Sequence, residues 1–196
     1  MDKKGTVKIM EKLKLAISRN TQGGYRIYEF IPSITRLFYK NMEDISFQRR
    51  IRFALELIKG YKVYYLEIRG KIVGYCVISI GGGRYSFAGK SDIVVGPYYV
   101  EKEERGNHYS ELLVSELLMY DNIHYNDAYD WIKKTNIPSL KCSEAVGFEI
   151  VGTADIVKPF RRIAARNDDS GEYYILKGNR DTFARRTAAS FFSGIM

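Results

Sequence analysis

The sequence predicts a mixed α/β fold, a sheet with helices packed on it, and three observations carry that expectation. Two alternating runs, Lys62 to Arg69 and Lys71 to Ile80, meet at Arg69-Gly70, which is the pattern of a tight β-hairpin. From Asn107 to Tyr120 the apolar residues Leu112, Leu113, Leu117 and Leu118 recur at helical spacing. Further strand-like and helix-like segments then alternate along the second half of the chain.

The elements follow in order. A strand from Tyr25 to Phe30 comes after a Gly23-Gly24 turn. Pro32-Ser33 is expected to open a helix whose apolar residues Ile34, Leu37 and Phe38 share a face, and Ser46 to cap a second helix through Ile51, Leu55 and Ile58 that Gly60 ends. After the hairpin, Gly81-Gly82-Gly83 leads into a long β run, Asp92 to Val100, in which Gly96-Pro97 marks an edge or a bulge because proline cannot donate to a sheet ladder. The helix at 107–120 follows, then a strand near Ala128 to Ile132, a helix from Pro138 to Val146, and strands at Phe148 to Val157 and Glu172 to Leu176. The expected order is β-α-α-β-β-β-α-β-α-β-β. No internal repeat or Pro/Ser-rich linker interrupts it, so one domain over residues 1–180 is expected. Residues 181–196, with Arg185, Arg186, Phe191 and Phe192, form a C-terminal extension that could be a closing helix, a partner-binding segment or a poorly ordered tail.

Composition narrows the partners. With 45% hydrophobic residues in 196, the chain has enough apolar side chains for a core, and disorder of the whole is not expected. The longest apolar runs, such as Ile72 to Ile80, fall far short of the roughly 20 residues a spanning helix needs, so no membrane segment is expected. The basic N-terminus (Lys3, Lys4, Lys8) is interrupted by Glu11, Lys12 and Lys14 where a secretion signal needs an apolar stretch, which favours a cytoplasmic protein. Cys76 and Cys142 are far apart, without a histidine at metal spacing, and read as packing thiols. No metal site is expected. The net charge of +8 suits an anionic partner. Its basic residues are dispersed and no nucleic-acid-reading motif accompanies them, so a phosphorylated cofactor explains the charge better than DNA or RNA does.

Two segments carry chemistry. From Val100 to Leu113 the chain reads Val-Glu-Lys-Glu-Glu-Arg-Gly-Asn-His-Tyr-Ser-Glu-Leu-Leu, a strand passing through a charged turn into an amphipathic helix. The first backbone N–H groups of such a helix have no intrahelical partner and lie at the positive end of its dipole, where a pyrophosphate is a natural ligand. This stretch resembles the pyrophosphate loop of the GNAT N-acetyltransferase family, Gln/Arg-x-x-Gly-x-Gly/Ala. Gly106 matches the first glycine and Arg105 the arginine that often precedes it, whereas Glu103 and His108 depart from the Gln/Arg and second Gly/Ala positions. A carboxylate near phosphates is electrostatically unhelpful, and a histidine at a close-approach position crowds the ligand.

Thirty positions beyond Gly106, the run Asn136-Ile-Pro-Ser-Leu-Lys-Cys-Ser-Glu-Ala-Val-Gly147-Phe148-Glu149 resembles the family's Asn-x-x-Ala/Ser, helix, Gly-Phe-Glu ending without a gap. Asn136 supplies an amide able to pair with a pantetheine arm, Ser139 fills the Ala/Ser position, and Gly147 suits a left-handed helix end. The resemblance has motif support over roughly residues 60–153, and it implies the GNAT fold, an α/β fold with a mixed central sheet flanked by helices. It further implies acetyl-CoA as co-substrate, held by Tyr99, Val100, Arg105, Gly106, Asn107, His108, Tyr109, Ser110, Asn136 and Ser139. Gly96-Pro97 would be the bulge where strands splay, with backbone N–H groups near Tyr99 and Val100 facing the thioester carbonyl.

The implied reaction is direct attack of a primary amine on acetyl-CoA in a ternary complex, which needs a proton acceptor for the amine and a donor for the thiolate. Where many family members carry a tyrosine, seven positions after the motif Asn, this chain has Ser143, a much weaker acid. Its simpler role is that of a small helix-surface residue. Glu67, Asp92 and Glu101 are the candidate bases, Glu101 being nearest the loop; His124 reads as an exposed loop residue. The acceptor class is left open between a small-molecule amine, an amino sugar and a protein amino group, and a homodimer is compatible with the sequence. The alternative is a GNAT-like module that binds acyl-CoA but does little chemistry, motivated by Glu103, His108 and Ser143.

Overall fold

The computed structural model of the protein describes residues 13–19, 24–43, 46–158 and 161–193, with the side chains of the final helix described as far as Arg186. Lys3, Lys4, Lys8, Glu11, Lys12, Gly23, and the side chains of Phe191 and Phe192 lie outside that description. The chain forms two compact units: residues 1–79 with 97–113, and residues 80–96 with 114–196.

In the first unit, strands β1 (Lys14–Arg19), β2 (Tyr25–Phe30), β3 (Tyr61–Ile68) and β4 (Lys71–Ile80) pair antiparallel in chain order. Strand β1 was not anticipated from the sequence. The hairpin between β3 and β4 turns as expected, with Arg69 and Gly70 both left-handed (φ 51° and 78°), which matches the right-handed twist of its strands. Helix α1 (Phe47–Glu56) starts where Ser46 Oγ accepts the Arg49 N–H at 3.3 Å, and left-handed Gly60 (φ 84°) follows its end.

The helix expected after Pro32-Ser33 is absent. Ser33 and Arg36 instead exchange backbone hydrogen bonds in a tight turn, and Ile34 is 91% exposed. Tertiary hydrogen bonds explain the difference. The Arg36 guanidinium donates to the Phe38 and Tyr39 carbonyls, Tyr61 Oη donates to the Leu37 carbonyl at 3.1 Å, and Tyr65 Oη accepts the Tyr39 N–H at 3.0 Å. Backbone groups that a helix would have paired internally are thus satisfied by Arg36 within the segment and by tyrosines of β3. Phe38 and Leu37 still reach the core, a cluster built on Phe30, Phe53, Tyr61, Val63, Tyr65, Tyr75 and Val77. Tyr61, Tyr65 and Tyr75 each pack a ring in this cluster while the hydroxyl anchors the 32–43 segment.

The second unit contains the start of β5 (Ile93–Val100), whose chain passes into the first unit between Gly96 and Pro97. Here β5 runs parallel to β6 (Ala128–Lys133). Strand β6 is antiparallel to β9 (Tyr173–Gly178), β9 to β7 (Glu149–Val157), and β7 to β8 (Arg162–Arg166), a strand the sequence had not suggested. Helix α2 (Tyr109–Met119) begins in the first unit and ends in the second; α3 (Ile137–Val146) and α4 (Arg180–Ser193) belong to the second. Gly147 closes α3 in the left-handed region (φ 113°), with the Phe148 N–H donating back to the Ser143 carbonyl at 3.0 Å. Phe148 then anchors the core as expected, its ring 4.9 Å from that of Phe183 on α4. The extension is therefore helical from Arg180, directly after β9. Cys76 and Cys142 are both buried, as packing thiols should be. Among the described residues no helix is long and apolar enough to cross a membrane, and no cluster of ligands could hold a metal ion.

Candidate cofactor-binding site

At the end of β5 the backbone of Tyr99 and Val100 lies close against β4. A Cβ at Gly74 would fall 2.8 Å from the Tyr99 carbonyl oxygen, so only glycine permits that approach. Upstream, Gly96 is left-handed (φ 96°), directly before Pro97. Glu101 N–H donates to the Val73 carbonyl at 2.9 Å, fixing the point where the strand gives way to a 3-10 turn at Lys102–Glu104.

The loop then reverses through Gly106 (φ 85°) and His108 (φ 56°), both left-handed, and enters α2. The Leu112 N–H is the donor that returns to His108 O, so the N–H groups ahead of it face outward from the helix start, as at any helix N-terminus. Asn107 does not project freely; its amide donates to the Glu104 carbonyl at 3.1 Å and braces the turn. Arg105 lies 5.5 Å over the Tyr99 ring and donates from Nε to the Val100 carbonyl, which holds a cation beside the loop.

The two departures from the motif look different in three dimensions. Glu103, the departing residue, is exposed, while its neighbours are paired, Glu104 with Lys71 at 2.9 Å and Glu101 with Lys40 at 3.1 Å, so the acidity of the turn is offset around Glu103 but not at it. The His108 ring turns out to solvent, 77% exposed, and its Nδ1 meets Glu111 at 3.0 Å. That contact raises its pKa, chiefly through the hydrogen bond, so a histidine at this position adds positive charge as pH falls rather than filling the loop.

The second motif segment is in the other unit. Asn136 precedes α3, its backbone tied by N–H to Lys133 O at 2.8 Å, and its side-chain amide donates to Ser139 Oγ at 2.9 Å. Ser143 is not a helix-surface residue. It is 1% exposed, and its hydroxyl donates to Asp130 Oδ2 at 2.8 Å. Asp130, on β6, is equally buried, its other oxygen accepting the Trp131 N–H at 2.7 Å. Burial pushes the Asp130 carboxyl up to about 6, against the pull of the Ser143 hydrogen bond. Asp130 was missed in the sequence, although a carboxylate inside Ala-Tyr-Asp-Trp-Ile at a strand position is a signal of a buried polar group. Ser143→Ala is expected to cost about 1–3 kcal/mol of stability near neutral pH, because a buried carboxylate loses one of its two partners. A urea midpoint unchanged from wild type would remove this role.

Of the candidate bases, Asp92 is spent on its own turn, accepting the Gly89 N–H at 2.7 Å and the Asp127 N–H at 3.2 Å. Glu67 pairs with Arg26 at 3.2 Å on β2 and β3. Glu101 stands at the mouth of the loop, next to Tyr99 and Val100.

No family model matches the sequence, and no curated protein matches it. Solved structures do. An uncharacterised protein from Bacillus halodurans superposes with a TM-score of 0.61 at 10% identity, over 91% of this chain and 96% of that one. A structure assigned as a phosphinothricin N-acetyltransferase gives 0.51 at 18% identity over 78% and 98%, and Mycobacterium smegmatis RimJ in complex with CoA-disulfide gives 0.51 at 11% over 91% and 92%. The chain has the GNAT fold.

The loop from Glu101 to Ser110 stands between β5 and α2. The absent Pro32 helix lies outside the motif segments, and its loss alters neither of them.

Proposed function

We propose that this chain is an acetyl-CoA-dependent N-acetyltransferase acting on a primary amine. The observation that carries the reading is the left-handed pair Gly106 and His108, which turns the chain into the N-terminus of α2 immediately after β5, within a GNAT fold. Backbone N–H groups at Asn107, His108, Tyr109 and Ser110, with Arg105 beside them, would hold the pyrophosphate of acetyl-CoA. The backbone of Tyr99 and Val100 would face the thioester, where N–H groups polarise a carbonyl that becomes an oxyanion. The amine nitrogen attacks the carbonyl carbon, the C–S bond breaks, and the amine proton passes to Glu101 directly or through water. Since the Ser143 proton is directed at Asp130, water is proposed to protonate the thiolate in place of Ser143.

Supporting the cofactor assignment, a structure of the same fold, RimJ, was obtained with CoA-disulfide. Thermal unfolding with and without acetyl-CoA tests it. Ligand at about 100 times its dissociation constant should add roughly 2.7 kcal/mol, a rise of roughly 5–10 °C for a chain of this size. A thiol-release screen over small amines, amino sugars and lysine peptides then separates enzyme from binding module: a thermal shift without thiol release for any amine supports the module, and no shift at millimolar ligand sinks both. Asn136 and Ser139 are proposed to contact the pantetheine arm, so Asn136→Ala should weaken acetyl-CoA by about 1 kcal/mol in calorimetry, the worth of one neutral hydrogen bond. An unchanged dissociation constant would remove Asn136 from the cofactor contacts.

A further inference from the structure

Helix α1 presents its apolar side outward. Phe47, Ile51, Leu55 and Ile58 are 77%, 46%, 55% and 84% exposed, and exposed Ala54 lies among them. At 100° per residue Phe47, Ile51, Ala54 and Leu55 fall in one stripe about 100° wide, and Ile58 follows in the turn after the helix. The opposite side carries Phe53 and Leu57 into the core, together with polar residues turned toward the protein: Arg49 pairs with Glu43 at 3.0 Å, and Arg52 with Glu56 at 3.6 Å, with both members of the latter pair largely buried. An ordinary surface helix has the reverse arrangement. The stripe is flanked by exposed Arg50 on one side and exposed Gln48 on the other, exposed Lys59 follows in the turn beyond the helix, and the one acidic residue of the helix, Glu56, faces inward.

We infer that α1 is an interfacial helix that docks on a bilayer surface carrying anionic lipid. Three features select that occupant. The flanking charges are positive, as an anionic surface requires. A second copy meeting the same stripe would bring Arg50 and Lys59 against their equals, and five side chains fall well below the 20–30 residues a side of a standard protein interface. The stripe is also convex, a helix ridge without groove walls, which suits a fluid surface better than a peptide ligand. This docking is distinct from spanning, for which the chain has no segment among its described residues. It does not depend on the acyltransferase reading.

The test is co-sedimentation of the full chain with phosphatidylcholine vesicles, with and without phosphatidylserine, at low and high salt. The chain should pellet with phosphatidylserine vesicles at low salt and be released by high salt. Ile51→Ser with Leu55→Ser should lower the partition coefficient by about tenfold or more, and Arg50→Glu with Lys59→Glu should abolish the preference for phosphatidylserine. Ile58→Ser alone, at a position outside the helix proper, provides a mild variant should the double change perturb folding as judged by circular dichroism. The inference is overturned if wild type stays in the supernatant, or if the apolar variants pellet like wild type. It is also overturned if sedimentation velocity shows a dimer, or an acidic protein partner is bound, that Ile51→Ser with Leu55→Ser disrupts while vesicles are ignored.

Discussion

Replacing Gly106 by valine is expected to lower acetyl-CoA affinity by at least about tenfold while the chain stays folded. A Cβ added at Gly106 meets no protein atom within 4 Å, so nothing in the protein resists the side chain itself. The backbone does, because φ is 85° there, and a β-branched residue in that region costs of order 1–3 kcal/mol. The loop can relieve that strain only by rotating the peptide groups on either side of residue 106, which redirects the N–H groups proposed to meet the pyrophosphate. If it does not relax, the valine methyls stand in the open space beside those donors. Either outcome falls on the ligand far more than on the core. Calorimetric titration of acetyl-CoA, with circular dichroism to confirm folding, decides it; a folded variant that binds like wild type shows that the phosphates are held elsewhere.

Asp130→Asn should stabilise the protein by about 2–3 kcal/mol at pH 8 and by almost nothing near pH 4. Burial holds the Asp130 carboxyl near 6 in the folded chain against an ordinary 3.8. The folded state therefore binds this proton more tightly than the unfolded chain does. The contribution of the protonated group to stability is complete below about pH 3.8 and is lost as pH rises through 6, so at pH 8 a buried charge is carried at full cost. Asparagine stays neutral, and its amide can still accept from the Trp131 N–H and donate to Ser143 Oγ. Urea midpoints at the two pH values are the measurement. Equal destabilisation at both would mean that the native hydrogen-bond geometry outweighs the burial cost, and the pH argument would fail.

Which parts of this were in the sequence depends on the range over which each residue's structure is decided. Arg69-Gly70, Ser46 and Gly147 act within one turn of chain, through left-handed backbone or a capping oxygen, and the structure places each where its type requires. The run at 107–120 was likewise legible, since burial on one face repeats along the helix, and the run at 71–80 through its β-branched and apolar residues, although β4 is buried on both faces from Val73 to Ser79. The charged turn between strand and helix at 101–109 could be recognised as well.

Only the tertiary structure decided the rest. The segment after Pro32 has a helical apolar pattern, but hydroxyls of Tyr61 and Tyr65, distant in sequence, take its backbone groups and hold it as turns. The acidity of the Glu101–Glu104 turn is a sequence fact, whereas its partial neutralisation by Lys40 and Lys71 depends on what the fold brings to it. Ser143 reads as a small helix residue until β6 places Asp130 against it. Helix α1 shows an apolar stripe in the sequence, and a stripe predicts burial; that the fold turns it outward follows from Phe53 fitting the aromatic core and the Arg52–Glu56 pair closing against the protein. Local backbone preferences are set by a few neighbouring atoms and survive in any context, whereas hydrogen-bond partners, charge pairs and the choice of buried face are settled by residues that only folding brings together.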